Sequence, residues 1–268
     1  MRGWRGRTAT LAVVLVVLMW SCVAVCAKGN VPKRLSPDEY GTLILNNFAE
    51  KAGVRPVVFR HWVHRARHTC RLCHVDIGFA MAAGETRMSE EDNRAGKYCG
   101  VCHNGKEAFG WESDRFADNE NPNCERCHTK ATLGRDPVNQ RHFEKVRRTL
   151  PEGRFGNEID WAAASRLRKV MPRDYIEGVS FDRPKLKHDQ GNLNLDAKLA
   201  GLPDISFSHK EHAVWNSCEL CHPDLFALKV GTSDYSMQEI FAGQYCGVCH
   251  GTVAFPLQDC GRCHAQNR

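Results

Sequence analysis

Cysteine and histidine, 14 and 13 of the 268 residues, are unusually frequent in this chain, which uses them in a fixed grouping. Six segments read HTCRLCH, KYCGVCH, NPNCERCH, NSCELCH, QYCGVCH and QDCGRCH. Each is C-x-x-C followed at once by histidine: Cys70, Cys73 and His74; Cys99, Cys102 and His103; Cys124, Cys127 and His128; Cys218, Cys221 and His222; Cys246, Cys249 and His250; Cys260, Cys263 and His264. Two thiols at that spacing can add across the two vinyl groups of a haem, and the adjacent histidine is then held beneath the iron as its proximal ligand. The pattern predicts six covalently attached c-type haems.

C-x-x-C is also half of many zinc sites. Zinc, however, needs four ligands closed into a tetrahedron, and a histidine directly after the second cysteine is not part of its usual spacing. With 13 histidines in 268 residues, histidine would follow all six pairs by chance on the order of once in 10⁸ chains. Disulfides have no use for that histidine either. Neither zinc nor a disulfide framework is expected.

Six-coordinate iron needs a second axial ligand, and seven histidines remain: His61, His64, His68, His142, His188, His209 and His212. The stretches VVFRHWVHRARHTCRLCH and ISFSHKEHAVWNSCELCH align without a gap, pairing Phe59 with Phe207, His61 with His209 and His64 with His212. An i, i+3 spacing puts both histidines of a pair on one side of a helix, where they could serve haems on either side. His68 has no counterpart.

The alignment continues beyond these stretches. YCGVCH occurs twice, at 98–103 and 245–250, and Ala-Phe and then a third attachment site follow each time. The chain therefore reads as two triheme modules, 56–131 and 204–268, the first with a polar insertion, GWESDRFADNENPN. Modules this small bury little core unaided. The expected fold is mostly irregular, with short α-helices, little or no sheet, and loops wrapped around haem.

F-x-H-x-x-H upstream of three C-x-x-C-H sites resembles the small triheme class III cytochromes c, the c-seven type related to the tetraheme c-three type. The resemblance covers about half of the chain, in two copies. It implies that His61 pairs with His74 and His64 with His103, and that His209 pairs with His222 and His212 with His250. Small members place a further distal histidine four residues before the first cysteine of the middle motif, where it serves the third haem. Here those positions are Ala95 and Ala242. Methionine is the next candidate, since a thioether is a common sixth ligand that raises the potential. Met88 and Met237 precede the middle motifs, with His68, His142 and His188 as substitutes.

Outside the motifs, residues 1–27 have the layout of a secretory signal peptide: a basic start, the apolar run TATLAVVLVVLMW, and small residues before a cleavage point after Ala27. A retained anchor or a lipidated Cys22 or Cys26 are the alternatives. An N-terminal extension, 28–55, and a linker, 132–203, complete the chain. Within the linker, NEIDWAAASRLRKV suggests an amphipathic helix with Ile159, Ala163, Leu167 and Val170 on one side. The stretch from Met171 to Asp204 reads as extended loop, and the whole region as a strap along the modules.

The formal charge is +6, but six haems bring about twelve propionates, so it gives no reason to expect nucleic-acid binding. The expected function is electron carriage by an exported hexahaem cytochrome, in the periplasm or at the outer surface. The resemblance implies an anaerobic respiratory chain, with other cytochromes, an inner-membrane quinol-oxidising complex or an outer-membrane conduit as partners. The alternatives are a multihaem reductase of nitrite or another nitrogen oxide, which needs one open iron, and a structural subunit of a larger haem conduit.

Overall fold

Two short antiparallel ribbons, each running straight into a one-turn helix, set the plan of the molecule. In the first, β1 (Thr42–Leu45) pairs with β2 (Val57–Arg60), with Leu43 opposite Phe59, and α1 (His61–Arg65) follows without a break. In the second, β3 (Asn192–Leu195) pairs with β4 (Ile205–Ser208), with Leu193 opposite Phe207, and α6 (His209–Ala213) follows. These observations come from a computed structural model, which describes residues 35–46, 48–111, 123–129, 136–183, 191–197 and 201–265. The signal-peptide reading, Cys22, Cys26, His188 and most of the polar insertion lie outside the described residues.

Between and after the ribbons come α2 (Glu90–Arg94), α3 (Cys124–Cys127), α4 (Pro137–Arg147) and α5 (Trp161–Arg166), then α7 (Cys218–Cys221), α8 (Met237–Phe241), α9 (Gly247–His250) and α10 (Cys260–Cys263). A π-helical turn covers Leu72–Ile77 and a 3-10 turn Tyr98–Val101. The first motif winds on through Val75 in one copy. In the other, Pro223 stands in the same place, and its missing N–H ends the turn at Cys221. The two ribbons are the only sheets among the described residues, and the chain is mostly irregular, as its composition implies.

Helices of four or five residues do not hold themselves together, so each needs local fixing. Ser89 and Asp92 form a capping box at the start of α2, and Ser236 and Glu239 form one at the start of α8. The carbonyl of Asn93 in α2, and that of Ile240 in α8, then abuts the following motif. A Cβ on Gly100 would lie 1.9 Å from Asn93 O, and one on Gly247 would lie 1.9 Å from Ile240 O. The shared glycine of the two YCGVCH words is thus required by close backbone approach.

The linker departs from its expected form. Asp160 caps α5 by accepting from the Ala163 N–H, and Arg168 takes a left-handed conformation just past its end, so the helix is only six residues long. Its buried face is Trp161 and Ala164, while Leu167 is 63% exposed. The Ile159–Ala163–Leu167–Val170 stripe therefore does not form, although Ile159 and Val170 are buried from outside the helix. The Asp136-Pro137 start of α4 went unread: Asp136 accepts from the N–H groups of Val138 and Asn139, with proline in the first turn. The stretch expected as extended loop supplies β3.

The main apolar cluster lies between the two copies. Trp62 of α1 and Trp215 beyond α6 meet Phe143 of α4 and Ile159, Trp161, Ala164 and Val170 of the linker. Trp62 meets Phe143 edge-on at 5.1 Å, and Trp161 meets Trp215 at 6.4 Å. Phe143 is fully buried. Replacing it by Ala should cost about 3–5 kcal/mol and lower the unfolding midpoint in calorimetry while haem attachment stays complete. An unchanged midpoint would show that this cluster does not hold the copies together.

Candidate functional site

The ribbon–helix units fix where the upstream histidines point. In each, a glycine with positive φ precedes the outer strand: Gly41 at +78° and Gly191 at +69°. The Gly41 carbonyl accepts from the His61 main-chain N–H at 3.1 Å and lies 2.8 Å from His61 Nδ1. In the second copy the Gly191 carbonyl stands 3.4 Å from the His209 N–H nitrogen and 3.3 Å from Nδ1. One turn on, His64 Nδ1 bonds to Arg60 O at 3.1 Å and His212 Nδ1 to Ser208 O at 2.8 Å.

The motif histidines are held in the same way. Nδ1 of His74 bonds to Phe79 O (2.9 Å), of His103 to Phe109 O (3.0 Å) and of His128 to Arg55 O (2.5 Å). In the second copy His222 bonds to Phe226 O (2.7 Å), His250 to Phe255 O (2.9 Å) and His264 to Pro203 O (2.9 Å). A main-chain carbonyl can only accept, so Nδ1 carries the proton and Nε2 keeps its lone pair for a metal. Burial acts in the same direction, pushing the pKa of His61, His64 and His250 down to about 4. These rings are neutral at pH 7.

Two pairs face each other. His64 and His103 have ring centres 6.3 Å apart, and His212 and His250 have theirs 6.2 Å apart. Two imidazoles on opposite sides of one metal, each bonded at about 2 Å, place their ring centres about 6 Å apart. Aromatic rings back both members. Phe59 stacks on His64 at 4.4 Å and Phe207 on His212 at 4.3 Å. Behind the proximal rings, Phe109 lies 4.4 Å from His103 and Phe255 lies 4.3 Å from His250. His61 lies within electrostatic reach of His74.

All twelve motif cysteines are without disulfide partners, and all line one continuous cavity of about 4080 Å³ together with these histidines. Shared among six groups, the cavity gives about 680 Å³ each, within the roughly 300–1,000 Å³ span of single cofactor sites. Among the described residues no three His, Cys, Asp or Glu side chains converge on a point. The donors stand instead in opposed pairs beside thiol pairs, an arrangement that suits flat macrocycles.

A family profile described as "Cytochrome c7 and related cytochrome c" matches residues 57–129 and 205–265, together half of the chain. The chain belongs to the cytochrome c7 family. Among solved structures it is similar to a c7-type three-heme cytochrome domain, with 40% identity over 27% of this chain and 90% of that one, and a TM-score of 0.26. It is also similar to the C-terminal hexaheme fragment of GSU1996, at 24% identity over 84% of this chain and 98% of the other (TM-score 0.26). The N-terminal hexaheme fragment of GSU1996 matches at 20% identity over 85% and 99% (TM-score 0.25). No curated protein matches it. As a multihaem c7-type cytochrome, the chain takes c-type haems, and the thiol pairs and anchored histidines are the residues that fit them.

Against this c7 framework, the two methionines prove unlike. Met88 sits just before the Ser89 cap of α2, its Sδ 3.9 Å from Cys99 Sγ. Met237 sits just after the matching Ser236 cap and is 38% exposed. In structural position Met88 corresponds to Tyr235, and Met237 to Glu90. Both methionines line the cavity. Ala95 and Ala242 are exposed residues ending α2 and α8. Of the substitutes, His142 is exposed on α4, its ring 5.2 Å from Trp62, and His68 has a buried Nδ1 with no partner.

Sequence reasoning missed the glycine anchors and the outer strands, although GTLIL at 41–45 and GNLNL at 191–195 spell them out. Each sheet thus takes its outer strand from beyond the motif-bearing segments 56–131 and 204–268. If His64 caps the iron at His103, His64→Ala should convert one haem of the set to high spin and let it bind carbon monoxide, as read by electron paramagnetic and optical spectra. A fully low-spin variant would remove His64 from the ligand set.

Proposed function

We propose that this protein is a hexahaem c-type cytochrome that carries electrons and performs no bond chemistry on a substrate. The observation that supports it most is the shared cavity: six thiol pairs and ten imidazoles with Nδ1 held by main-chain carbonyls line one space. Haems that share a cavity can exchange electrons directly, each iron cycling between ferric and ferrous.

Paired histidines favour low potentials. On this reading the third haem of each module, held by His128 or His264, takes the thioether of Met88 or Met237 and stands at higher potential, with His68, His142 and His188 as the alternative ligands. Met237→Ala and Met88→Ala then each remove part of the weak sulfur-to-iron band at the red end of the oxidised spectrum. An unchanged band in either variant rejects that methionine.

The protein is exported and works in the periplasm or at the outer surface, where it takes electrons from other cytochromes or a quinol-oxidising complex and passes them to further cytochromes or an outer-membrane conduit. The six attachment motifs support the cofactor count, and the apolar run before Ala27 supports export. Among the described residues no helix is long and apolar enough to cross a membrane.

Mass spectrometry of the mature protein should give six haem additions per chain, with the N-terminus at Lys28. Low-temperature paramagnetic resonance of the oxidised protein should show only low-spin ferric iron. A stoichiometric high-spin signal that moves on adding nitrite or hydroxylamine would replace this reading by that of a multihaem reductase.

A further inference from the structure

Arg65 breaks the repeat. It follows His64 at the end of α1, where the second copy has Ala213 after His212. Its guanidinium packs against two adjoining indoles, 4.9 Å from the Trp161 ring centre and 5.0 Å from that of Trp215. Nη1 donates to Val253 O at 3.2 Å, while Nε is buried with no acceptor. Among the described residues no carboxylate lies within ion-pair distance of it. The nearby acidic groups are Cys70, Cys249 and Tyr40. Cysteines bound to haem as thioethers carry no charge, and burial pushes the Tyr40 phenol up to about 12, so it is neutral at pH 7. The neighbouring Arg262, by contrast, has Asp160 at 3.5 Å.

The position of this cation is as telling as its isolation. Val253, which Arg65 holds, donates its own N–H to Cys249 O, tying α1 of the first copy to the middle motif of the second. Tyr40 reinforces the join by donating to Ala254 O at 2.7 Å. The Arg65 charge reaches Cys70 and His61 on one side, and Cys249 and His250 on the other. A guanidinium stays charged at any working pH.

We infer that Arg65 is a fixed tuning cation at the junction of the two modules, raising the potentials of the haems bound at Cys70–His74 and Cys246–His250. The inference rests on the electron-carrier reading. The physical reason is that ferric iron carries one more positive charge than ferrous, so a nearby cation that no protein carboxylate pairs with favours the reduced form. Two unit charges about 10 Å apart at an effective dielectric near 20 change an equilibrium roughly tenfold or more.

The test is a redox titration of the haem-loaded protein and its Arg65→Gln and Arg65→Lys variants, with haems assigned by nuclear magnetic resonance. Arg65→Gln should lower two of the six one-electron steps by about tenfold in the ferric–ferrous equilibrium, or 59 mV each, while Arg65→Lys leaves both near their original values. Six unchanged steps in the Gln variant, or an equal drop in the Lys variant, would overturn the assignment even though the protein still cycles as an electron carrier. Irreversible cycling of the unaltered protein would instead sink the carrier reading itself. If the Gln variant matures with fewer than six haems, the unaltered protein decides. The haem at Cys70–His74 should then titrate above its counterpart at Cys218–His222, and the reverse order rejects the inference.

Discussion

The contact from histidine Nδ1 to a main-chain carbonyl is the constraint on which the rest of the molecule depends. It recurs at ten histidines, always to backbone oxygen, and so does not rely on any partner side chain. By fixing the tautomer it gives every Nε2 the same role, and by fixing the ring plane it reduces what must be ordered when iron binds. Short helices and two-stranded ribbons suffice because each has only to present one or two rings. The chain can stay mostly irregular as long as its carbonyls are in place.

A second constraint follows from the cavity. Space for several flat cofactors leaves little interior for side chains to fill. The apolar cluster accordingly forms where cofactors are not, between the copies, from Trp62, Trp215 and the linker residues Phe143, Trp161 and Ala164. Polar ties reinforce the same junction. Arg71 N–H donates to Trp215 O at 3.2 Å, and Arg183 joins Asp76 of the first copy to Glu219 of the second at 2.7 and 2.9 Å. The linker is therefore the molecule's internal brace, and it holds the two sets of haem sites in one body.

The copies agree where coordination demands it and differ where the junction does. Phe59 and Phe207, Gly100 and Gly247, and Arg55 O and Pro203 O occupy matching positions. Trp62 has Lys210 as its counterpart, and Arg65 has Ala213. The first member of each pair meets the linker or the other copy, whereas its counterpart does not belong to the buried cluster. The two copies meet different surroundings at the junction, so the residues there differ.

The six C-x-x-C-H segments and the duplication were legible in the sequence because each signature is fixed within five residues. Local spacing also put His61 with His64, and His209 with His212, on single helical turns. The capping serines and the GxLxL strands were legible too, but their signals are weak beside the motifs. What the tertiary structure decided involves separations that local spacing cannot encode. It set which carbonyl holds each ring, down to Arg55 O for His128 and Pro203 O for His264. It placed the Met88 thioether 3.9 Å from Cys99 Sγ and left Met237 38% exposed. It also packed Arg65 against two tryptophans from distant segments. A sequence specifies a charge, but only packing determines whether water or an acid is left to balance it.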